Sequence, residues 1–201
     1  MSWIDTIVPQ LAEGRLRRLY ERVRGADGTV DNVIQVHGLR PHTLDGHLAL
    51  YRAVLHHPDN RTPAWLLEAV GVYVSALNGC TYCVAHHARG MRRALVDEAR
   101  AAVIEAALVA DRPEDALAGA SLAMMRYAKR LTRTPAEVHR SAVDTLREAG
   151  LDDGAILELN QVVAYFAYAN RTVLGLGVTT RGEQVRPVSS SGSRGVPRAG
   201  S

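Results

Sequence analysis

Apolar residues recur at spacings of three and four almost throughout this chain, and no run of alternating β-branched residues interrupts them. That period places one apolar stripe along each helix and leaves nothing to build a sheet, so the fold class is all-α. At 201 residues and 47% hydrophobic composition the chain buries a real core without disulfide staples. Its two cysteines are therefore free for chemistry.

Glycine, proline and capping residues divide the pattern into segments. An opening helix is expected over residues 7–23, leading through a Gly/Asp turn at 25–28 into Val30-Asp31-Asn32-Val33-Ile34, and another helix over 43–56, broken by His57-Pro58-Asp59-Asn60-Arg61. Thr62-Pro63 reads as an N-cap and first helical residue for 64–77, and Asn78-Gly79 as its stop. Cys80 then begins a helix reaching about Leu95, followed by an Ala-rich helix over 97–110 and one opened by Arg112-Pro113 that runs to about Arg133. Thr134-Pro135-Ala136-Glu137 has the form of a capping box for a helix closed by Gly150, and Asp152 or Asp153 caps the last long helix, ending at Gly175 or Gly177. Beyond Arg181 the composition turns to Gly, Ser, Pro and Arg. The expected organisation is one helical domain over 1–181 and a disordered tail over 182–201.

The formal charge of +3 does not point to nucleic acid, because the basic residues are scattered among acids and are all arginine except Lys129. The densest group, Arg15-Leu16-Arg17-Arg18 with Arg22 and Arg24, shares its helix with Glu13 and Glu21 and reads as a solvated face. No uninterrupted stretch reaches the roughly 20 apolar residues of a membrane span. A cytoplasmic protein without a membrane partner is expected, and there a close cysteine pair is more often catalytic or metal-binding than structural.

Chemistry concentrates in Asn78-Gly79-Cys80-Thr81-Tyr82-Cys83-Val84-Ala85-His86-His87. On a helix Cys80 and Cys83 share one side, and His87 lies one turn beyond Cys83. A helix N-terminus favours a thiolate at Cys80, while His87 is placed to take the proton of Cys83, directly or through a water. Glu68 is the only ionisable carboxylate of the apolar segment 64–77 and so needs a partner or a raised pKa. Glutamate, imidazole and thiol together would make a proton relay. Competing readings are a salt bridge from Glu68 to Arg171 or Arg89, a pair of merely buried cysteines, and a zinc site. The last is disfavoured because His86 and His87 point about 100° apart on a helix.

Glu68, eleven intervening residues, Cys80-x-x-Cys83, three more residues and His87 resembles the alkylhydroperoxidase D signature, in the peroxidase-related branch of the carboxymuconolactone decarboxylase superfamily. The likeness extends to Ser75-Ala76-Leu77-Asn78-Gly79, to Asn160 through Phe166 and to Asn170-Arg171, and covers about residues 5–178. It implies an alkylhydroperoxidase D-like helical bundle and a peroxidase acting on hydrogen peroxide or organic hydroperoxides. Cys83 would be the peroxidatic thiol, Cys80 the resolving one, His87 the base, and Glu68 the residue that orients or deprotonates it. Tyr82 stands where alkylhydroperoxidase D has a histidine thought to protonate the departing oxygen, and tyrosine is the weaker acid. The resemblance further implies a peroxide substrate, an external dithiol reductant, no permanently bound cofactor, and a trimer-based homo-oligomer. A disulfide carrier, a redox sensor and a superfamily lactone decarboxylase remain alternatives.

The remaining candidates read as structural. His86 is expected in packing or at the surface, and His37, His42, His47, His56 and His57 in solvated or capping roles, since no carboxylate or thiol completes a ligand set with them. Tyr165, Phe166 and Tyr168, with Met124 and Met125, are expected to build core or subunit contacts. Asn170 and Arg171 read as structural support for the cysteine helix or as anion binders.

Overall fold

The computed structural model describes residues 2–25 and 28–183. Among them are nine α-helices, three single 3-10 turns and no strand: α1 (Gly14–Val23), α2 (Asn32–Gln35), α3 (Pro41–Leu55), α4 (Ala64–Leu77), α5 (Thr81–Leu95), α6 (Glu98–Val109), α7 (Gly119–Arg133), α8 (Arg140–Glu148) and α9 (Asp153–Gly175). The all-α class expected from the apolar period is what forms. No described helix is long and apolar enough to cross a membrane.

Helix α4 is the axis of the molecule. Leu66 through Ser75 are buried without a break, as expected of a helix that is apolar on every side. It packs against α5, α6, α7 and α9, and the main core gathers around it. A smaller core joins α1 to α3 through Leu16, Leu19, Tyr20, Ile34, Leu44 and Leu48. A third apolar cluster holds Cys80, Tyr82 and Cys83 against Val36, Val173 and Val178, where the start of α5 meets the end of α9.

Sequence punctuation succeeds at the ends that matter for this cluster. Gly79 adopts φ +72°, a left-handed conformation that a residue with a Cβ resists, and it turns the chain so that α5 runs back along α4. Asp152 caps α9, its carboxylate accepting the Ala155 N–H at 2.7 Å. Asp97 likewise caps α6.

Four boundaries depart from the expected pattern. The opening helix begins only at Gly14, whose φ of +52° follows an extended Glu13; the earlier residues give just the turn Pro9–Leu11. The segment after Arg112 makes one turn, Pro113–Asp115, before Gly119 at φ +54° starts α7. Thr134 makes no cap hydrogen bond, Pro135–Glu137 form a single turn, and the extended Val138 and His139 delay α8 to Arg140. At α4 the Thr62 hydroxyl is buried without a partner; Glu158 of α9 instead accepts the N–H groups of Arg61 (2.9 Å) and Thr62 (2.8 Å). In each case a local signal was right that something turns, and tertiary packing decided how.

Of the expected tail, Gly182 and Glu183 are described, and Glu183 is held by side chains near the cysteines; residues 184–201 lie outside the described residues.

Gly71 of α4 has the Phe166 ring of α9 directly against it, well inside the space a Cβ would take. Helix propensity alone would make Gly71→Ala stabilising by about 1 kcal/mol, whereas overpacking costs roughly 1–3 kcal/mol. The second effect wins because the obstacle is a fully buried ring. Gly71→Ala is therefore expected to lower the urea unfolding midpoint; an unchanged or raised midpoint would show that Phe166 moves aside freely.

Candidate active site

The sequence places Cys80 at the N-cap of α5 and Cys83 one turn in, so both sulfurs face the interior of the third cluster. They lie 2.6 Å apart and are free thiols. Cys80 has no solvent exposure; Cys83 has 4% and borders an open cavity of about 630 Å³ lined from α1, α2, α3, α4, α5 and α9. The two thiols differ electrostatically. The hydrogen bond with Cys83 pulls the Cys80 thiol below its ordinary value, with smaller help from Asn170. The same bond, then burial, pushes the Cys83 thiol well above its ordinary value. The two thiols titrate as a pair, and the negative charge left by the first proton lost favours Cys80.

Glu68, 5% exposed, reaches from the middle of α4 to His87 of α5, and its Oε2 is 2.7 Å from the imidazole Nδ1. Its other oxygen lies 3.9 Å from His56 Nε2. The carboxylate fits because residue 90 is glycine: a Cβ there would stand 2.6 Å from Glu68 Oε1. Phe166 sets the other side of the imidazole, edge to face at 4.5 Å. Glu68, His87 and Cys83 all border the one cavity. Neither Arg171 nor Arg89 forms a salt bridge with Glu68; Arg171 is exposed and donates to the Ala167 carbonyl. Its neighbour Asn170 is buried behind the dithiol, where it accepts from Asn78 (2.9 Å) and donates to Ser75 (3.0 Å).

Tyr82 points away from the sulfurs. Its hydroxyl donates to Glu183 at 2.9 Å and accepts the Val33 N–H at 3.1 Å, and burial together with the Glu183 charge raises its pKa further from neutrality. His86 stacks on Tyr82 at 4.4 Å, and its Nε2 is 2.7 Å from Glu183 Oε2. Asp31, His86 and Glu183 each offer one ligand atom within 4.8 Å of the others. The Glu183 carboxylate is already taken up by Tyr82, His86 and the Asn32 N–H, which makes it a latch between the segment after α9 and α5.

The N-terminal histidines divide. His42, His56 and His57 are exposed as expected, but His37 and His47 are buried, and His56 borders the cavity with its Nε2 2.8 Å from the Tyr51 hydroxyl. His47 borders it too, in contact with the rings of His37, Tyr165 and Tyr168, and its Nδ1 has no partner. The expectation of a solvated or capping role fails for His47 because α3 packs on α9, which the spacing within α3 alone does not reveal. Tyr165 likewise turns one edge to the cavity, while Phe166, Met124 and Met125 are core.

Burial, then the neighbouring His37 and His87, lowers the His47 pKa to about 4. A lowered folded-state value means the unfolded chain binds the extra proton. The stability that neutral His47 contributes is complete above an unfolded value of about 6.5 and is lost as pH falls toward about 4. His47→Phe is expected to flatten the decline of the urea midpoint across that window; an undiminished slope would place the acid sensitivity elsewhere.

These positions can be set beside known proteins. Residues 41–130 match the carboxymuconolactone decarboxylase family. No curated protein matches the sequence. Solved structures share the fold: an uncharacterized peroxidase-related protein from Ralstonia eutropha JMP134, described as an alkylhydroperoxidase AhpD core, has a TM-score of 0.79 at 21% identity over 89% of this chain and 91% of its own. A peroxidase-related protein from Silicibacter sp. TM1040 gives 0.78 at 21% identity over 89% and 91%. A cysteine-to-alanine variant of the debrominase Bmp8, in complex with 2,3,4-tribromopyrrole, gives 0.70 at 20% identity over 89% and 93%. The match to the carboxymuconolactone decarboxylase family spans the dithiol, and nearly the whole described chain shares the alkylhydroperoxidase D-like fold of these structures.

Proposed function

We propose that the protein is a thiol peroxidase that reduces hydrogen peroxide or organic hydroperoxides through a Cys80–Cys83 dithiol/disulfide cycle. The observation that carries this reading is the meeting, at one cavity, of a dithiol in sulfur–sulfur contact and an imidazole held by a buried carboxylate.

Cys83 is the sulfur with access to the cavity, yet its environment holds the proton on, so attack requires a base. His87, oriented by Glu68 through Nδ1, accepts that proton. The Cys83 thiolate attacks the outer oxygen of the peroxide, the O–O bond breaks, and Cys83 becomes a sulfenic acid. The leaving oxygen takes a proton and departs as water or alcohol. Cys80, whose anion is favoured, then attacks the sulfenic sulfur, water is released and the disulfide forms. An external dithiol supplies two electrons and two protons to restore the pair. Tyr82 acts as a positioning residue: its hydroxyl is committed to Glu183 and its acidity is suppressed. A trimer-based homo-oligomer belongs to the same reading. The debrominase similarity concerns a different reaction of a protein with this fold, and nothing in this cavity specifically calls for it.

A disulfide carrier is the nearest rival. It shares the disulfide and its reduction with the proposed cycle and differs in the oxidant, a partner's disulfide in place of a peroxide.

Stopped-flow mixing of reduced protein with peroxide tests the reading. Wild type is expected to consume one equivalent and lose two thiols. Cys83→Ser should be inert, Cys80→Ser should stop at a sulfenic acid trapped by dimedone, and His87→Ala should slow the first step by about 10²–10⁴-fold. Oxidation by disulfides with indifference to peroxide would establish a carrier. A lactone decarboxylase activity untouched by Cys83→Ser would establish a lyase.

A further inference from the structure

A cavity of about 630 Å³ is far larger than hydrogen peroxide needs; it falls in the range of roughly 300–1,000 Å³ that accommodates whole organic ligands. Apolar side chains, Val33, Ile34, Leu48 and Val173 among them, line it together with the Glu68–His87 pair and Cys83. Its border is cationic. Arg22, Arg52, Arg89 and Arg93 line it, and all four are exposed. Among the described residues Arg22, Arg52 and Arg93 have no carboxylate within ion-pair distance, while the two acids on the same cavity have partners of their own, Glu68 on His87 and Asp31 near His86.

Arg22, Arg52 and Arg93 each stand in the last turn of a helix, α1, α3 and α5, where a cation offsets the helix dipole. That role explains each arginine singly. It does not neutralise the border, because a helix C-terminus carries only about half a negative charge against one full positive charge per arginine. Nor does it explain why three helices end at one opening.

We infer that the organic molecule this site accepts is an anion: a hydroperoxide with an apolar body that fills the cavity and a carboxylate that pairs with the arginines at its border. The inference rests on the peroxidase reading for the hydroperoxide group alone; the anionic character follows from the border. Arginine suits this role because its planar fork pairs with a carboxylate through two parallel hydrogen bonds.

Two pairs of probes separate the two claims. Turnover is compared for cumene hydroperoxide and its 4-carboxylate. Equilibrium binding to the reduced protein is measured by calorimetry for the matching alcohols, 2-phenylpropan-2-ol and 4-(2-hydroxypropan-2-yl)benzoate. The carboxylated member of each pair is expected to be favoured by about tenfold or more at low ionic strength, as charge-assisted pairing allows, and the preference should shrink as salt is raised. In the double variant Arg52→Gln/Arg93→Gln the preference ratio should fall to within about twofold of unity, as loss of that pairing requires, while Arg126→Gln, on an exposed face of α7, keeps the wild-type ratio. Equal binding of the two alcohols, or a ratio that survives the double substitution, overturns the inference. Preferential carboxylate binding without turnover of either hydroperoxide upholds the anion site and defeats the peroxidase reading. Efficient but indiscriminate turnover does the reverse.

Discussion

A carboxyl group in the middle of an otherwise apolar helix is the constraint on which the site depends. Leaving such a group buried without a hydrogen-bond partner costs about 1–3 kcal/mol, and more when it is charged. Glu68 escapes that cost only because α5 doubles back along α4 and brings His87 to 2.7 Å. The turn at Gly79 makes the reversal, Gly90 leaves room for the carboxylate, and Phe166 closes the far side of the imidazole. Three features, at residues 79, 90 and 166, thus serve one hydrogen bond, and that bond fixes which way His87 faces.

The dithiol is arranged by a second division of labour. Both cysteines belong to one small apolar cluster, but Cys83 meets the cavity and Cys80 is sealed behind it. Their mutual hydrogen bond biases negative charge toward the sealed sulfur and leaves the accessible one protonated. An accessible thiol in that state is quiet until a base takes its proton, and the proposed base, His87, borders the same cavity. Asn170 supports the pair from behind, and the Tyr82–His86–Glu183 latch holds the flank of α5. Fold and chemistry are joined here, since the same turn of α5 that carries the sulfurs also carries the latch.

Much of this was legible in the sequence because it rests on local signals. The apolar period gives the helices, Asn78-Gly79 gives the turn, and the lone acid of segment 64–77 announces that a partner must exist. Its partner could be narrowed to the histidines of α5 because a two-residue turn leaves few alternatives. What escaped notice depends on contacts between elements far apart in the chain. His47 is one polar residue on a short amphipathic helix until α9 covers it, and Glu158 caps the start of α4 from nearly a hundred positions away. Glu183 lies in a stretch whose composition reads as tail, and only Tyr82, His86 and the Asn32 N–H give it a place. Gly71 and Gly90 carry no positive φ to mark them; their need is steric and appears only with Phe166 and Glu68 in position. The arginines of the border sit on helices whose charges look solvated one at a time.

The central claim is that Glu68 acts through His87, so that the two form one functional unit. A double-mutant cycle on the rate of Cys83 sulfenic acid formation tests it most directly, using Glu68→Gln, His87→Gln and the pair, with each variant's fold checked by its unfolding midpoint. The account predicts that the double variant is no slower than His87→Gln alone, because Glu68 has nothing left to orient. Losses that multiply, with the double variant slower by the product of the two single effects, would contradict it.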